Sequence, residues 1–316
     1  VSGIAFEKGL HPVGNGTHAW LQPDGSWGWS NAGLVTDSGQ SLLIDTLFDL
    51  KLTAEMLAAM RDAVPAARSI DTLVNTHANG DHCYGNQLVQ DATIITSAAT
   101  AEELAEVSPA MMAGMLENAD QLGEAGAFFK QVFGAFDFTG IEIPPVSQTF
   151  SGELSLKVGD KSVELIEVGP AHTKGDVLVH VPEDGVVFTG DILFIEGTPI
   201  MWEGPVGNWI RACERIEELG AAVIVPGHGP VTDRSGARAV RDYLVYVRDE
   251  ARIRFDAGLS AREAVEDIGL GAYASWGDAE RIAVNVHSLY REFSGSEERV
   301  SPVELFGLMA AIASAR

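Results

Sequence analysis

Basic residues are scarce in this chain. Lys and Arg number 21 against 45 Asp and Glu, a formal charge of −24 at neutral pH. An acidic excess of that size repels phosphate backbones and anionic lipid headgroups, which argues against nucleic-acid binding and membrane docking. Cysteine is nearly missing. Cys83 and Cys213 are the two present, too few to staple 316 residues into a disulfide framework. Cys83, directly after His82, is the one to watch, either as a pocket residue or as a soft metal ligand. No apolar run reaches the roughly 18 residues of a membrane-crossing helix. Val1 to Leu10 show no basic stretch followed by an apolar core, so the expectation is a chain without a signal peptide here and a cytoplasmic location. The formal sequon Asn15-Gly16-Thr17 then reads as chance. What is plentiful is apolar material, at 46% of residues, enough for one large domain or two small ones.

The stretch Thr76 to His82 organises the rest. Ile70 to Asn75 before it is strand-like, and Cys83 to Gln90 after it can begin a helix. His77, Asn79, Asp81 and His82 therefore fall in a strand-to-helix loop, where side chains converge without sharing one helix face. From Ile4 to Asp45 the pattern is β-rich, with Trp27 and Trp29 expected on one strand face. Leu42 to Ile44 reads as a buried strand ending in Asp45. Asp49 to Val64 is an amphipathic helix stopped by Pro65, and Thr93 to Thr96 is a further strand. This alternation of strand and helix predicts an α/β layered fold.

Ala98 to Phe138 departs from the alternation. It is rich in Met, Ala and Phe and reads as two or three helices broken at Pro109 and near Gly123 to Gly126. Such a stretch is either an insertion packed on the core or a lid over a bulky apolar or aromatic ligand. Strands return at Gln148 to Phe150, Leu154 to Val158 and Ser162 to Val168. Val177 to Val181 and Val186 to Thr189 form a hairpin. Asn208 to Leu219 is a helix and Ala222 to Val225 a strand. Beyond Asp233 the chain turns helical, over Ala237 to Ala257, Ala261 to Ile268, Asp278 to Phe293 and Val303 to Ala313. The last of these can cover the core or a second subunit.

Metal catalysis needs nitrogen and oxygen donors gathered at rigid strand ends, with a position left open for water. His77, Asp81, His82, His172, Asp191 and His228 are six such donors, each in or beside a Gly- or Pro-marked turn after an apolar run. His180, inside a strand, and His287, inside a helix, read as packed or capping histidines, and His11 and His18 as surface or rim.

Four ordered motifs carry a family resemblance. They are His77-x-Asn79-x-Asp81-His82, Gly169-Pro-Ala-His-Thr-Lys-Gly-Asp176, Phe188-Thr-Gly-Asp-Ile-Leu-Phe194 and Val225-Pro-Gly-His-Gly229. Together they resemble the metallo-β-lactamase superfamily over about Val13 to Thr232. The resemblance implies an αββα sandwich of two mixed sheets with the site at one edge. Residues 1–235 would form that domain, with a helical insertion at 98–140 and a helical extension at 236–316 packed on it. It implies zinc, as one or two ions, with manganese or iron admissible. His77 and His172, with the residue at 79, match the first metal position. Asp81, His82 and His228 match the second, and Asp191 matches the bridging carboxylate. Asp81, His77 and Asn79 are the expected catalytic residues.

The chain departs from the family at Asn79, where the pattern usually has His. An amide is a weak oxygen donor, whereas imidazole suits zinc. Three outcomes stay open: two ions with Asn79 or water completing the first site, one ion at Asp81, His82, His228 and Asp191, or an empty site that only binds. The implied activity is hydrolysis of an ester or thioester carbonyl by hydroxide generated at the metal. The insertion and the helix bearing Tyr290 resemble, more softly, a branch assigned as cyclases or thioesterases in aromatic polyketide biosynthesis. A non-catalytic metabolite binder is the other reading. A glutathione thioesterase would want basic residues on the C-terminal helices. Arg241, Arg248, Arg252 and Arg254 lie there, but such arginines usually pair with nearby acids. The expected partner is a small molecule, free or carrier-bound, and a homodimer stays open.

Overall fold

The computed structural model describes residues 3–104, 106 and 108–315. Residues 1, 2, 105, 107 and 316, which fall within the ranges assigned above, lie outside the described residues. Seven strands form the first sheet in chain order: β1 (Gly9–Pro12), β2 (Thr17–Leu21), β3 (Ala32–Asp37), β4 (Gln40–Ile44), β5 (Thr72–Val74), β6 (Thr93–Ser97) and β7 (Gln148–Phe150). Its first four strands are antiparallel, and β4 to β7 are parallel. The second sheet holds β8 (Glu153–Val158), β9 (Lys161–Glu167), β10 (Val177–Val181), β11 (Val186–Phe188) and β12 (Val223–Val225), antiparallel except for the β11–β12 pair.

Strand alternation sorts the core into layers. Leu42 and Ile44 of β4 point between the sheets, where they join Val177, Val179 and Val181 of β10. Leu43, between them in sequence, faces the other way onto Met56, Leu57 and Met60 of α1 (Leu50–Ala63). Asp49 caps that helix by accepting from the Leu52 amide at 2.7 Å, as expected for an N-cap carboxylate. Leu178 of β10 faces outward with Trp209, Val240 and Tyr243. The sheets thus pack face to face with helices outside, an αββα sandwich.

Short helices follow the parallel strands: α2 (Gly80–Cys83) after β5 and α3 (Ala98–Glu103) after β6. The helix expected up to Gln90 is only the four residues of α2, followed by a 3-10 turn over Asn86–Val89. A Cβ on Gly85 would lie 2.0 Å from the Thr53 hydroxyl, so the chain passes too close to α1 for a regular helix with side chains there.

The insertion contains α4 (Pro109–Glu117) and α5 (Gly123–Phe133). Phe128, Phe129 and Phe133 of α5, with Phe136 and Phe138 beyond it, are buried in one aromatic cluster with Phe48 and Tyr84. Phe129 meets Phe306 of the last helix edge to face at 5.3 Å, and Phe48 meets Phe136 at 4.9 Å. These rings are core packing. The methionines of α4 differ: Met111 is 55% exposed, and Met112 and Met115 are half-buried.

The strand expected through Trp27 and Trp29 is a loop between β2 and β3. Pro23-Asp24-Gly25 turns the chain, and Gly28 adopts φ +74° with Phe48 and Phe136 against its α-carbon. Only glycine fits that position without displacing a ring. The two indoles go different ways, Trp27 onto Phe133 at 5.7 Å and Trp29 onto Phe136 at 4.7 Å.

Helices α6 (Val206–Leu219), α7 (Arg234–Asp256), α8 (Ala261–Asp267), α9 (Ile282–Ser294) and α10 (Pro302–Ala315) complete the chain. Phe306, Met309 and Ala310 of α10 are buried against the insertion cluster, while Val303 is exposed. All four arginines noted above have carboxylate partners: Arg241 with Glu217, Arg248 with Asp249, Arg252 with Asp256, and Arg254 with Glu250 and Asp267. Among the described residues no helix is long and apolar enough to cross a membrane.

Candidate metal centre

Six side chains meet where strand ends of both sheets come together. His77 follows β5, and Asp81 and His82 sit in α2. His172 lies in the β9–β10 loop, Asp191 in the turn after β11, and His228 in the loop after β12. His77, His172 and Asp191 offer ligand atoms within 4.8 Å of one another, and so do Asp81, His82 and His228. All six are buried.

Each imidazole is held by its Nδ1. His82 Nδ1 donates to Asp45 Oδ2 at 2.9 Å. His77 Nδ1 lies 3.0 Å from the Thr76 hydroxyl, whose own proton goes to Asp45 Oδ2 at 2.7 Å, so the imidazole is the donor. His172 Nδ1 donates to the Ile200 carbonyl at 2.6 Å, and His228 Nδ1 to the Gly25 carbonyl at 3.0 Å. With Nδ1 carrying the proton, the neutral tautomer leaves a lone pair on Nε2, the form a cation needs.

The four Nε2 atoms surround Asp191. His77 lies 3.6 Å, His172 3.4 Å and His228 3.4 Å from its Oδ2, and His82 lies 3.1 Å from its Oδ1. His228 Nε2 is also 3.2 Å from Asp81 Oδ2. Even so, His77 Nε2, His82 Nε2 and Asp191 Oδ1 are buried without a hydrogen-bond partner. Buried polar atoms are normally satisfied. Orphaned donors converging on one point, from nitrogen and carboxylate groups together, fit a divalent cation.

The loops are built for this approach. A Cβ on Gly227 would lie 1.9 Å from Asp191 Oδ1, so a larger residue would push the carboxylate away. Asn31 Nδ2 bridges the carbonyls of Pro226 and Gly229 at 3.0 and 2.9 Å, fixing the loop that carries His228. Phe194 stacks on the His228 ring at 5.0 Å with 5° between planes.

The charges of His82, His228, His77 and Asp191 follow from burial and proximity. Burial would depress His82 and His228, but the carboxylates Asp191 and Asp81, joined at His82 by Asp45, outweigh it. His82 is held well above the usual imidazole range and His228 is pushed up to about 9. Burial wins at His77, where the neighbouring His82 adds to it, and the ring stays neutral. Asp191 is held well below the carboxylate range: burial alone would raise it, and His228, His82 and His77 outweigh that. A metal binds only neutral Nε2. Metal uptake near pH 7 is therefore expected to release protons, and affinity should rise with pH through the neutral range as His228 and His82 give theirs up. Calorimetry in buffers of different ionisation enthalpy measures the release; identical heats would contradict it.

Cys83 is buried, lies 3.2 Å from the Asn79 carbonyl and belongs to neither donor group. Burial pushes its thiol up, the opposite of a ready thiolate. His180 pairs with Glu164 at 2.9 Å and His287 with the Ala283 carbonyl at 2.7 Å, both away from the centre. Asp45, Thr76 and Asn31 were not singled out as site residues by sequence. The one signal for Asp45 was an acid at the end of an otherwise apolar strand.

The sequence model of the Metallo-beta-lactamase superfamily matches residues 25–228, more than half of the chain and the span that contains all six donors. The chain belongs to the metallo-beta-lactamase superfamily. Among curated relatives of this superfamily member, a hydroxyacylglutathione hydrolase from Maricaulis maris is 28% identical over 183 residues, 58% of this chain and 54% of the relative. The chain thus spans about half the length of that relative. A metallo-beta-lactamase from Pontibacter korlensis shares the fold at TM-score 0.57 and 20% identity, over 76% of this chain and 99% of its own. The sec-alkylsulfatase Pisa1 from Pseudomonas sp. shares it at TM-score 0.69 and 16% identity, over 94% of this chain and 53% of its own.

Proposed function

We propose that this metallo-beta-lactamase superfamily member is a metal-dependent hydrolase acting on the ester or thioester carbonyl of a small, bulky apolar or aromatic molecule, free or attached to a carrier. The observation that carries the proposal is the set of buried, unpartnered donor atoms around Asp191. Asp81, His82, His228, His77, His172 and Asp191 would hold the metal, and zinc suits that donor set. Bound there, a divalent cation supplies Lewis acidity, acidifying water and polarising a carbonyl oxygen.

The protein's own groups supply the rest. With one ion held by Asp81, His82, His228 and Asp191, His77 is released from ligation and, kept neutral by burial, has an unpartnered Nε2 able to take a proton as general base. One N–H of the Asn79 amide reaches His172, and the second is free to donate to a carbonyl oxygen as charge develops on it. A cavity of about 280 Å³ is lined by Trp27, Trp29 and Val132 and, beside them, by the polar Asp24, Asp278 and Glu280. Its wall is the loop whose Gly25 carbonyl holds His228. The half-buried indole of Trp29 offers a face that suits a flat substrate.

The thioester preference draws support from the relative named a hydroxyacylglutathione hydrolase. Glutathione itself is less favoured, because the four C-terminal arginines that would meet its carboxylates are paired with acids. Zinc-, manganese- and iron-loaded protein assayed on aryl and alkyl esters and thioesters tests the reading. Chelator-sensitive hydrolysis is expected. Carbon–carbon ring closure of a polyketone without ester hydrolysis would move the assignment to a cyclase. Bound metal with neither reaction would make the chain a binding protein.

A further inference from the structure

We infer that the two halves of the centre are unequal: the Asp81–His82–His228 half holds one tight ion, and Asn79 keeps the His77–His172 half weak. The inference rests on the metal-centre reading above but not on the choice of substrate.

The reason lies in one hydrogen bond. Asn79 stands at the N-terminal end of α2, where its side chain caps nothing. Its Nδ2 instead lies 2.9 Å from His172 Nε2. His172 Nδ1 is committed as a donor to the Ile200 carbonyl, so Nε2 carries a lone pair and needs a donor opposite it. The orientation of the amide follows from that chemistry: turned over, Oδ1 would face the imidazole lone pair. The amide therefore occupies the very electron pair that an ion between His77 and His172 requires, and brings no imidazole of its own. A histidine at position 79 would supply a nitrogen donor and release His172.

Among the described residues no side-chain amide stands against the other half, so an incoming ion displaces only protons there. His82 Nε2 is unpartnered. His228 Nε2 faces only the carboxylates of Asp81 and Asp191, at 3.2 and 3.4 Å. Two nitrogens and the Asp81 carboxylate meet there, with Asp191 within reach of both halves. That is a full donor set for one zinc ion, with room for water only if a ligand stays away.

Zn²⁺ titration against a chromophoric chelator, with metal analysis after dialysis, reads the stoichiometry without any substrate. Wild-type protein is expected to bind one ion tightly and a second more weakly by about 10- to 100-fold, the scale on which ligand-supporting groups act. Asn79→His is expected to close most of that gap. His172→Ala, which leaves residue 79 untouched, is expected to keep the tight ion, whereas His228→Ala loses it. Two ions of equal affinity in wild-type protein, or loss of the tight ion in His172→Ala, would overturn the inference while leaving the metal centre in place. No zinc bound by wild-type protein or by Asn79→His would overturn both.

Discussion

Asp191→Asn is expected to lose turnover on the order of 10³-fold, because the several kcal/mol a bound cation contributes convert at about 1.4 kcal/mol per tenfold. Among the described residues, Asp191 alone lies within 3.1 to 3.6 Å of all four Nε2 atoms. Its Oδ1 is one of the buried atoms with no partner. Asparagine has the same shape and fits against Gly227, so the fold should survive while a charged ligand common to both halves is gone. Circular dichroism should be unchanged, zinc content should fall, and hydrolysis should fall with it. An Asp191→Asn variant that retains both zinc and turnover would remove this carboxylate from the centre.

The second large effect is expected at Asp45, which belongs to neither donor group. Its Oδ1 accepts the Thr76 amide at 2.7 Å, and its Oδ2 accepts the Thr76 hydroxyl at 2.7 Å and His82 Nδ1 at 2.9 Å. Asp45→Ala would leave three buried donors without an acceptor, at roughly 1–3 kcal/mol each. Urea denaturation should show a loss of about 3 kcal/mol or more by that reckoning. Asp45→Asn separates the two roles. Its amide oxygen can still serve Thr76, and asparagine tolerates the positive φ of 61° found there. Its N–H groups, however, would face His82 Nδ1 and drive the imidazole proton to Nε2, closing the lone pair to metal. Zinc affinity is then expected to drop by about 10- to 100-fold, the usual weight of such supporting groups, with a smaller change in urea midpoint than Asp45→Ala. Equal zinc affinity in Asp45→Asn and wild-type protein would mean that this carboxylate does not set the His82 tautomer.

The two effects mark how far sequence alone could reach. The six side chains that the structure brings together could be picked out in the sequence because each follows an apolar, β-branched run and sits in or beside a Gly- or Pro-marked turn. The layering was legible for the same reason: Leu42, Leu43 and Ile44 alternate faces as a strand requires. Asp45 was harder. Its partners Thr76 and His82 lie 31 and 37 positions away, and nothing in a window around residue 45 foretells a left-handed backbone or a shared oxygen. The loop at Trp27 and Trp29 misled for a related reason. Two tryptophans at alternate positions look like a strand face, yet the close approach of Phe48 and Phe136 to Gly28 bends the chain there. The insertion was readable as helices but not in its role. That its phenylalanines bury against Phe48 and Phe306 rather than a ligand depends on contacts between segments far apart in the chain. Asn79 could be seen as a departure from the family pattern, but its consequence needed the His172 tautomer, which is fixed by the carbonyl of Ile200.

Anomalous diffraction from crystals of zinc-saturated protein, recorded on both sides of the zinc edge, tests the metal centre most directly. The expected result is a strong peak bounded by Asp81, His82, His228 and Asp191, with a weaker peak or none between His77 and His172. Zinc-saturated crystals with no anomalous density within coordination distance of Asp191 would contradict it.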